Sequence, residues 1–274
     1  MSKKTDLFEE KVANCVKCYS NLPVRLPIWM NNLGINPNAK IISSNRIGNK
    51  NKDNKTDIIV HLDNSTPIKI SVKLSSADYF GNWYGHLRFI EEFGEKTFEK
   101  LSSVITDWAN SWIKESNASP FVGVSICFGR RTGKTAIPFL DIFTPEDIIS
   151  IVRGYGDECD ATANCMYISN TSPSNIDELI SNLRPINNET ISEAVGQFMI
   201  ACRPINPMTE GTNRGKNVYT QFIPFKKLNQ PTRVTTTAEL REIGSFHTVN
   251  PNKLNHNHIL NNLEKNFNLI IPRK

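Results

Sequence analysis

The pattern of apolar and polar residues, with an apolar run at 58–60 and apolar residues at every second position from 68, predicts two adjacent β-strands over residues 57–62 and 68–73. Both stretches are rich in β-branched residues, which favour strands. The residues between them, 63–67, have the composition of a tight turn. We therefore expect an antiparallel pair in which Asp57 begins the first strand and Lys73 ends the second, so that the two side chains adjoin.

Further periodic stretches predict helices and strands on both sides of this pair. A strand over 121–128 is expected to form a hairpin with one over 135–143, and strands over 195–204 and 217–226 are expected to form a late hairpin. The remaining predicted elements are helices over about 5–20, 86–114, from Pro145 with Thr144 as its cap, and 174–183, and strands near 40–44 and 163–169. The pattern predicts an α/β (α+β) fold, in which helices flank a mixed central β-sheet.

Length and charge limit the possible classes of protein. The chain has 274 residues, with 32 Lys and Arg against 27 Asp and Glu, a net charge of +5. One large domain is expected from this length, and the basic charge favours a polyanionic partner. No apolar run approaches the length of a membrane span and the N-terminus has no apolar signal core, so we expect a cytoplasmic protein with no membrane partner.

Six cysteines raise the possibility of a structural zinc site. Cys15 and Cys18 have the spacing of half such a site, and Cys159 with Cys165 could form the other half. The first pair, however, falls inside a predicted helix, where Cys15 belongs to an apolar stripe. Reduced thiols that pack in the core are the default in a cytoplasmic chain, and zinc is the weaker interpretation.

The strand pair itself suggests a different metal. The Asp57 carboxylate and the Val72 carbonyl are hard oxygen ligands at adjoining strand ends, and Lys73 lies beside them, with Ser71 on the same strand face as Lys73. Magnesium binds few carboxylates and keeps several waters, which suits such a site. The alternative is structural: many strands begin or end in Asp, and a Lys on an edge strand discourages aggregation.

The block from Lys55-Thr56-Asp57 to Ser71-Val72-Lys73-Leu74 resembles the signature of PD-(D/E)xK nucleases, an Asp followed on the next strand by x-Val-Lys. Within that family it is most similar to a small group of four-base-cutting type II restriction endonucleases, MspI and its relatives, which carry an amide two residues before the lysine. This chain departs from the group at Ser71, and a neutral hydroxyl contributes little to holding a second Mg²⁺.

Three other stretches are similar to the same group, in the same order along the chain. Residues 7–11 open a helix as the first helix of the group does, which implies that Glu9 points toward the metal site, with Glu10 as the alternative. Residues 153–157 resemble an Arg-Gly-x-Gly-Asp stretch of one relative. Residues 212–222 resemble the C-terminal hairpin that reads DNA.

The resemblance implies a restriction-endonuclease-like fold with a C-terminal DNA-reading hairpin. It implies a single nuclease domain over 1–231, divided into a catalytic core over about 1–130 and a DNA-recognition part over about 131–231, and leaves 232–274 as a C-terminal extension for the surface or for assembly. The expected substrate is double-stranded DNA, cleaved at a short specific sequence by a monomer or homodimer. A gene for a cognate DNA methyltransferase is expected beside such an enzyme.

The expected chemistry is hydrolysis of a phosphodiester bond. Asp57, the Val72 carbonyl and Glu9 through a water would hold Mg²⁺, which polarises the phosphate and acidifies a bound water. Lys73 would orient or help to deprotonate that water and offset charge on phosphorus. Ser71 would hydrogen-bond a metal-bound water.

Residues 129–135 look like a phosphate-binding loop after a strand. A Walker A loop needs four residues between its first Gly and the Gly-Lys pair, whereas this loop has three, and Pro138 would damage the helix that should follow. We interpret the segment as a basic hairpin turn in which Arg130, Arg131 or Lys134 contacts DNA phosphate.

Sequence-specific contacts must come from base edges. Arg203, Arg214 and Lys216 flank the predicted late hairpin and are suited to guanine, while Asn213 and Gln221 suit adenine or cytosine. Each of these five could equally be an ordinary solvated loop residue.

The histidines give weak signals. His86 is expected to start a helix and to hydrogen-bond locally, although it could assist proton transfer. Residues 256–258, His-Asn-His, are expected to form an Asn-rich surface segment, because a ββα-metal nuclease distributes such residues over a hairpin and a helix. Two other functions stay open: a structure-specific repair or recombination nuclease of the same fold, and a non-catalytic DNA-binding protein in which Ser71 marks a decayed site.

Overall fold

The computed structural model describes residues 3–47, 55–82, 84–156, 159–210, 217–252 and 254–274. Within these ranges the helices are α1 (Lys3–Lys17), α2 (Ile28–Asn32), α3 (His86–Phe93), α4 (Glu95–Trp112), α5 (Pro145–Arg153), α6 (Ile176–Asn182), α7 (Asn188–Val195), α8 (Pro207–Glu210), α9 (Thr237–Ile243) and α10 (His256–Phe267). The strands are β1 (Ile41–Arg46), β2 (Ile58–Leu62), β3 (Ile68–Lys73), β4 (Tyr79–Asn82), β5 (Val124–Gly129), β6 (Ala136–Pro138), β7 (Cys165–Ile168), β8 (Leu183–Pro185), β9 (Met199–Pro204), β10 (Gln221–Pro224), β11 (Thr232–Arg233), β12 (Gly244–His247) and β13 (Leu269–Ile270).

The chain divides into two compact units that alternate along the sequence. Unit 1 comprises residues 1–80 and 144–198, and unit 2 comprises 81–143 and 199–274. These bounds differ from the predicted boundaries near residues 130 and 231, and the predicted division into catalytic and recognition parts stays a prediction.

Unit 1 contains a five-stranded sheet with the strand order β1-β2-β3-β7-β8. The predicted antiparallel pair is confirmed, with Ile58 opposite Ile70 and Val60 opposite Ile68. β1 and β8 also run antiparallel to their neighbours, whereas β3 and β7 run parallel. The sheet is therefore mixed, as predicted.

Helices α1 and α6 cover one face of this sheet. Phe8 and Val12 of α1 and Leu179 of α6 share a buried cluster with Ile70 and Val72 of β3. Helix α5 begins at Pro145 as predicted, and Thr144 closes a reciprocal capping box with Asp147. Because Ile70 and Val72 point to this apolar face, alternation along β3 places the side chains of Ser71 and Lys73 on the opposite face.

Unit 2 contains a sheet with the order β4-β5-β9-β6. The boundary between the units, after residue 80, falls within β4. The predicted hairpin between 121–128 and 135–143 is wrong, because β9 lies between β5 and β6 and pairs antiparallel with both. All six residues of β5 are buried. A strand buried on both faces occupies the middle of a sheet, and its partner here comes from far along the chain.

The predicted late hairpin is also wrong. β9 pairs with β5 and β6, whereas β10 pairs with β12 in a separate two-stranded sheet. The first four residues of β9 are buried, while buried and half-buried residues alternate along β10. β9 therefore lies inside a sheet that is buried on both faces, whereas β10 is buried on one face. The two strands do not form the C-terminal DNA-reading hairpin expected from the resemblance.

Residues 232–274 contribute to the core of unit 2. Besides β12 they form α9, α10 and the parallel pair β11 and β13. Leu240, Phe246, Leu263 and Leu269 are each at most 3% exposed. His256 is fully buried at the start of α10, whose cap is Asn255, so the expectation that 256–258 is a surface segment is wrong at this residue.

The long helical region predicted over 86–114 is two helices. Gly94 separates α3 from α4 with a φ of +80°, a conformation that suits glycine. His86 starts α3 as predicted and is buried. The expectation that it hydrogen-bonds locally is wrong, because its Nε2 lies 2.7 Å from the Val218 carbonyl oxygen and its Nδ1 accepts from Asn252 N–H at 3.3 Å. None of the helices in the described ranges is long and apolar enough to cross a membrane.

Candidate active site

The main chain fixes Asp57 at the point where β2 begins beside β3. Its N–H donates to the Ile70 carbonyl at 2.9 Å, and its carbonyl accepts from Ile47 N–H at 2.9 Å. Asp57 is thus held between β1 and β3, one residue before the run of paired residues in β2. Lys73 is the last residue of β3, and both side chains lie at this edge of the unit 1 sheet.

The side chains of Asp57 and Lys73 meet at this edge. Asp57 Oδ2 accepts a hydrogen bond from Val72 N–H at 2.7 Å and lies 3.5 Å from Lys73 Nζ. The two side chains are 12% and 21% exposed, so solvent reaches both. Both contacts use Oδ2, and toward the described residues Oδ1 makes no hydrogen bond, which leaves it available to a cation.

The Val72 carbonyl completes this group. The N–H and the C=O of a strand residue point to the same side of the strand, so the carbonyl whose N–H contacts Asp57 also faces Asp57. Lys73 Nζ lies 3.2 Å from the Val72 oxygen. The ammonium thus contacts both oxygen-bearing groups predicted to ligate a metal, and it neutralises the carboxylate in this arrangement.

Glu9 lies near this group on α1. Its side chain is 2% exposed, and its Oε2 accepts from Arg46 Nε at 2.7 Å. Arg46 also contacts the carboxylate of Asp6. Glu10, the alternative that the sequence left open, is exposed, and the assignment of Glu9 to the metal site stays a prediction.

The pKa of the Glu9 carboxyl is shifted by its burial and by the charged residues around it. Burial, followed by the negative charge of Asp57, raises the pKa of Glu9 to about 7, while Arg46 and Lys73 act in the opposite direction. Glu9 is therefore within electrostatic reach of both strand-end residues, although its hydrogen bond is to Arg46.

Ser71 has an unusual hydroxyl. The residue is fully buried, and its Oγ has no hydrogen-bond partner within the described part of the chain. Buried polar atoms are nearly always satisfied by protein or by ordered water. Alternation along β3 puts this hydroxyl on the same face as the Lys73 side chain, so an unpaired acceptor and donor lies beside the acid–lysine pair.

These residues fit a magnesium ion better than a transition metal. In the ranges that the structure describes, no three His, Cys, Asp or Glu side chains come together to hold a metal. Magnesium needs one or two carboxylates with waters for the rest, which Asp57 Oδ1 and the Val72 carbonyl suit, and the Ser71 hydroxyl could hydrogen-bond one of those waters. Cys165 lies in the core, where burial raises the pKa of its thiol, so it is a poor thiolate ligand.

Three of the predicted DNA contacts lie in the loop between β5 and β6 of unit 2. Arg131 Nε donates to Thr135 Oγ1 at 2.8 Å, and Lys134 Nζ pairs with Glu115 at 2.6 Å. Arg130 is half-buried, whereas Arg131 and Lys134 are exposed. The loop ends in one 3₁₀ turn and enters a strand, so it is not a phosphate-binding loop. It is not the predicted hairpin turn either, because β9 separates its two strands.

The remaining predicted base contacts do not share a hairpin. Arg203 is half-buried in β9, with its Nη1 3.9 Å from Cys127 Sγ. Gln221 is half-buried at the start of β10, opposite His247. Asn213, Arg214 and Lys216 lie outside the described residues.

Sequence reasoning missed Arg46, which lies beyond the end of the strand predicted near 40–44. β1 extends to this residue, and Arg46 pairs with Ile58, one position from Asp57. Residues 43–46 are four polar residues in a row, so no alternation of apolar and polar residues indicates that the strand continues to the arginine.

No family model, curated protein or solved structure matches the chain. The functional argument therefore depends on the side chains at the edge of the unit 1 sheet.

Proposed function

We propose that the protein is a Mg²⁺-dependent deoxyribonuclease of the PD-(D/E)xK type that acts on double-stranded DNA as a type II restriction endonuclease. The observation that carries the proposal is the contact of Lys73 Nζ with both Asp57 Oδ2 and the Val72 carbonyl, at 3.5 and 3.2 Å. A carboxylate, a main-chain carbonyl and an ammonium at one strand edge are the groups that the resemblance implies.

Each residue has a role that its surroundings support. Magnesium bound at Asp57 and the Val72 carbonyl would supply a Lewis acid for the phosphate and a more acidic water. Lys73, 21% exposed, is able to hold the attacking water and to offset the charge that develops on the phosphate oxygens. Ser71 offers its free hydroxyl to a water, and Glu9 adds a second carboxylate that Arg46 keeps in place.

The lysine contact also has a consequence for activation. The ammonium contacts the Val72 carbonyl oxygen, which is one of the two groups proposed to hold the cation, so it would have to leave that oxygen for a divalent cation to bind there. A short side-chain rotation is enough, since the Lys side chain has four rotatable bonds. We expect the Asp57–Lys73 contact to lengthen in the magnesium-bound protein.

The proposal is tested with purified protein, phage DNA and Mg²⁺. Asp57→Asn and Lys73→Ala should each lower cleavage by at least about 100-fold, with DNA binding retained. Asp63→Asn is the matched control, because Asp63 follows β2 as Asp57 precedes it and is exposed. Cleavage at the wild-type rate by either site variant would reject the assignment.

A second candidate function is DNA binding without hydrolysis. It is favoured by Ser71, which stands where the family has an acid or an amide, and by the neutralisation of Asp57 by Lys73. Discrete fragments in the same assay indicate a restriction enzyme, and cutting of branched DNA alone indicates a structure-specific nuclease. Retardation of DNA without cutting indicates a binding protein. A neighbouring methyltransferase gene would support the first.

A further inference from the structure

Arg46 lies between two carboxylates of α1. Its Nε donates to Glu9 Oε2 at 2.7 Å, and its Nη2 contacts Asp6 Oδ1. Asp6 and Glu9 are three residues apart and so lie on one side of the helix. The Glu9 side chain is 2% exposed, whereas those of Arg46 and Asp6 are 29% and 43% exposed. The guanidinium is therefore the cation that balances a buried carboxylate.

The register of β1 brings this ion pair to the strand end that carries Asp57. Arg46 is the partner of Ile58, the residue after Asp57. Directly opposed residues share one face of a sheet, and Ile58 belongs to the buried cluster beneath α1. The Arg46 side chain thus lies on the face that α1 covers. The charge of Asp57 also raises the pKa of Glu9, so Glu9 and Arg46 approach Asp57 from the side of the helix.

Lys73 approaches Asp57 from the other side. Strand N–H groups point along the plane of the sheet, so Asp57 Oδ2, which accepts from Val72 N–H at 2.7 Å, lies close to that plane. Ser71 and Lys73 project from the face opposite α1. Asp57 therefore has one group of charged side chains on each side of the sheet.

Neither side offers a free carboxylate to a second divalent cation. On the side of the helix, the carboxylates of Asp6 and Glu9 are bonded to Arg46. On the opposite side, the Ser71 hydroxyl is neutral and the Lys73 ammonium repels a cation. Asp57 itself has one oxygen to give, because Oδ2 already accepts from the Val72 N–H.

The charge at the site also favours a single ion. Three carboxylates, those of Asp6, Glu9 and Asp57, face the two cations Arg46 and Lys73, which leaves −1 when all five are ionised. One divalent cation brings this to +1, and a second would bring it to +3. Two ions in one site lie about 3.5–4 Å apart, and their repulsion is weakly screened where the surroundings are partly buried.

We infer that the site holds one divalent cation, at Asp57 and the Val72 carbonyl, and that the Arg46 guanidinium occupies the position between Asp6 and Glu9 that a second ion would need. Arg46 acts through Glu9 and is a positioning residue. This inference rests on the proposed function, which supplies the metal site, and it adds the number of ions and the residue that sets it.

The number of ions is measured with Mn²⁺ as the probe, without DNA. Electron paramagnetic resonance of free Mn²⁺ counts the bound ions at pH 8, above the Glu9 pKa of about 7. Wild type should bind one ion more than Asp57→Asn, whose count reports binding elsewhere on the protein. Arg46→Gln should bind one ion more than wild type, because Asp6 and Glu9 become free to ligate. Arg46→Lys keeps the positive charge and should bind as many ions as wild type.

Two further variants separate the role of Arg46 from a general effect of charge. Arg184→Gln is the matched control, since Arg184 is an exposed arginine on β8 of the same unit, and its count should equal that of wild type. Adding Glu9→Gln to Arg46→Gln should remove the extra ion. Circular dichroism checks that each variant is folded.

Three results would overturn the inference. They are a wild-type count that exceeds that of Asp57→Asn by two, a wild-type count equal to that of Asp57→Asn, and a folded Arg46→Gln protein that binds no more ions than wild type. The first two need no change at Arg46, so they decide the question even if Arg46→Gln is unstable.

DNA cleavage by the wild-type protein distinguishes this inference from the proposed function. If wild type binds the single ion at Asp57 and does not cleave DNA, the nuclease proposal fails and the assignment of one ion stands. If wild type cleaves DNA and binds two ions at the site, the nuclease proposal stands and the role given to Arg46 fails.

Discussion

Glu9 makes the stability of this protein depend on pH in a direction opposite to most carboxylates. In the unfolded chain its carboxyl should ionise near the ordinary value of 4.5, whereas in the folded protein burial and Asp57 raise its pKa to about 7. Between these pH values the folded protein holds a proton that the unfolded chain has released. The contribution of Glu9 is therefore complete below about pH 4.5 and is lost as pH rises through 7.

The pKa difference sets the size of the effect. Raising a carboxyl pKa from 4.5 to about 7 corresponds to a loss of about 2–3 kcal/mol of unfolding free energy above neutral pH, when partial solvent screening of the charge is included. Glu9→Gln removes the ionisation and keeps the shape and the acceptor for Arg46 Nε. The difference in stability between wild type and this variant should therefore change by about 2–3 kcal/mol between pH 4.5 and pH 8.

Urea unfolding followed by circular dichroism, in EDTA at half-unit pH intervals, measures this difference. Glu10→Gln is the matched control, since Glu10 is the exposed neighbour on the same helix, and its curve should run parallel to that of wild type. Parallel curves for Glu9→Gln as well would refute the burial of an ionisable Glu9 beside Asp57.

Three further substitutions test other parts of the fold by urea unfolding. Ser71→Ala should raise stability by up to about 1 kcal/mol, because its buried hydroxyl has no protein partner in the described ranges; a loss of that size would show that the hydroxyl is satisfied. Thr144→Ala should cost about 1 kcal/mol by removing the cap bonded to Asp147, and Thr144→Ser should restore it. Gly244→Ala should cost about 2 kcal/mol or more, because its new Cβ would press on the Ile223 carbonyl in the adjacent strand; unchanged stability would contradict the β10–β12 pairing.

Local signals in the sequence were sufficient for the strand pair that carries the site. β2 and β3 are joined by a short turn, so pattern and turn chemistry fix their register, and the contact of Asp57 with Lys73 follows from it. The cap at Thr144 is likewise a signal within four residues. Predictions of this kind depend on neighbours in sequence, and they were confirmed.

Pairings between strands that are far apart in the sequence could not be predicted from such local signals. β9 inserts between β5 and β6, and β12 replaces β9 as the partner of β10. Nothing in the periodicity of a buried strand identifies which other strand will lie beside it. The same limit applies to Glu9, since its bond to Arg46 joins residues 37 positions apart.

The parallel pairing of β3 with β7 has a consequence for synthesis of the chain. Ile70 of β3 pairs with Cys165 of β7. Lys69 N–H donates to the side chain of Asn164, which lies 95 residues after Lys69 in the chain. While the ribosome makes the intervening segment, the edge of β3 that will pair with β7 has main-chain N–H and C=O groups without hydrogen-bond partners. Such strand edges attract other strands. Holdase chaperones would therefore be most useful to the nascent chain in that interval, before β7 arrives.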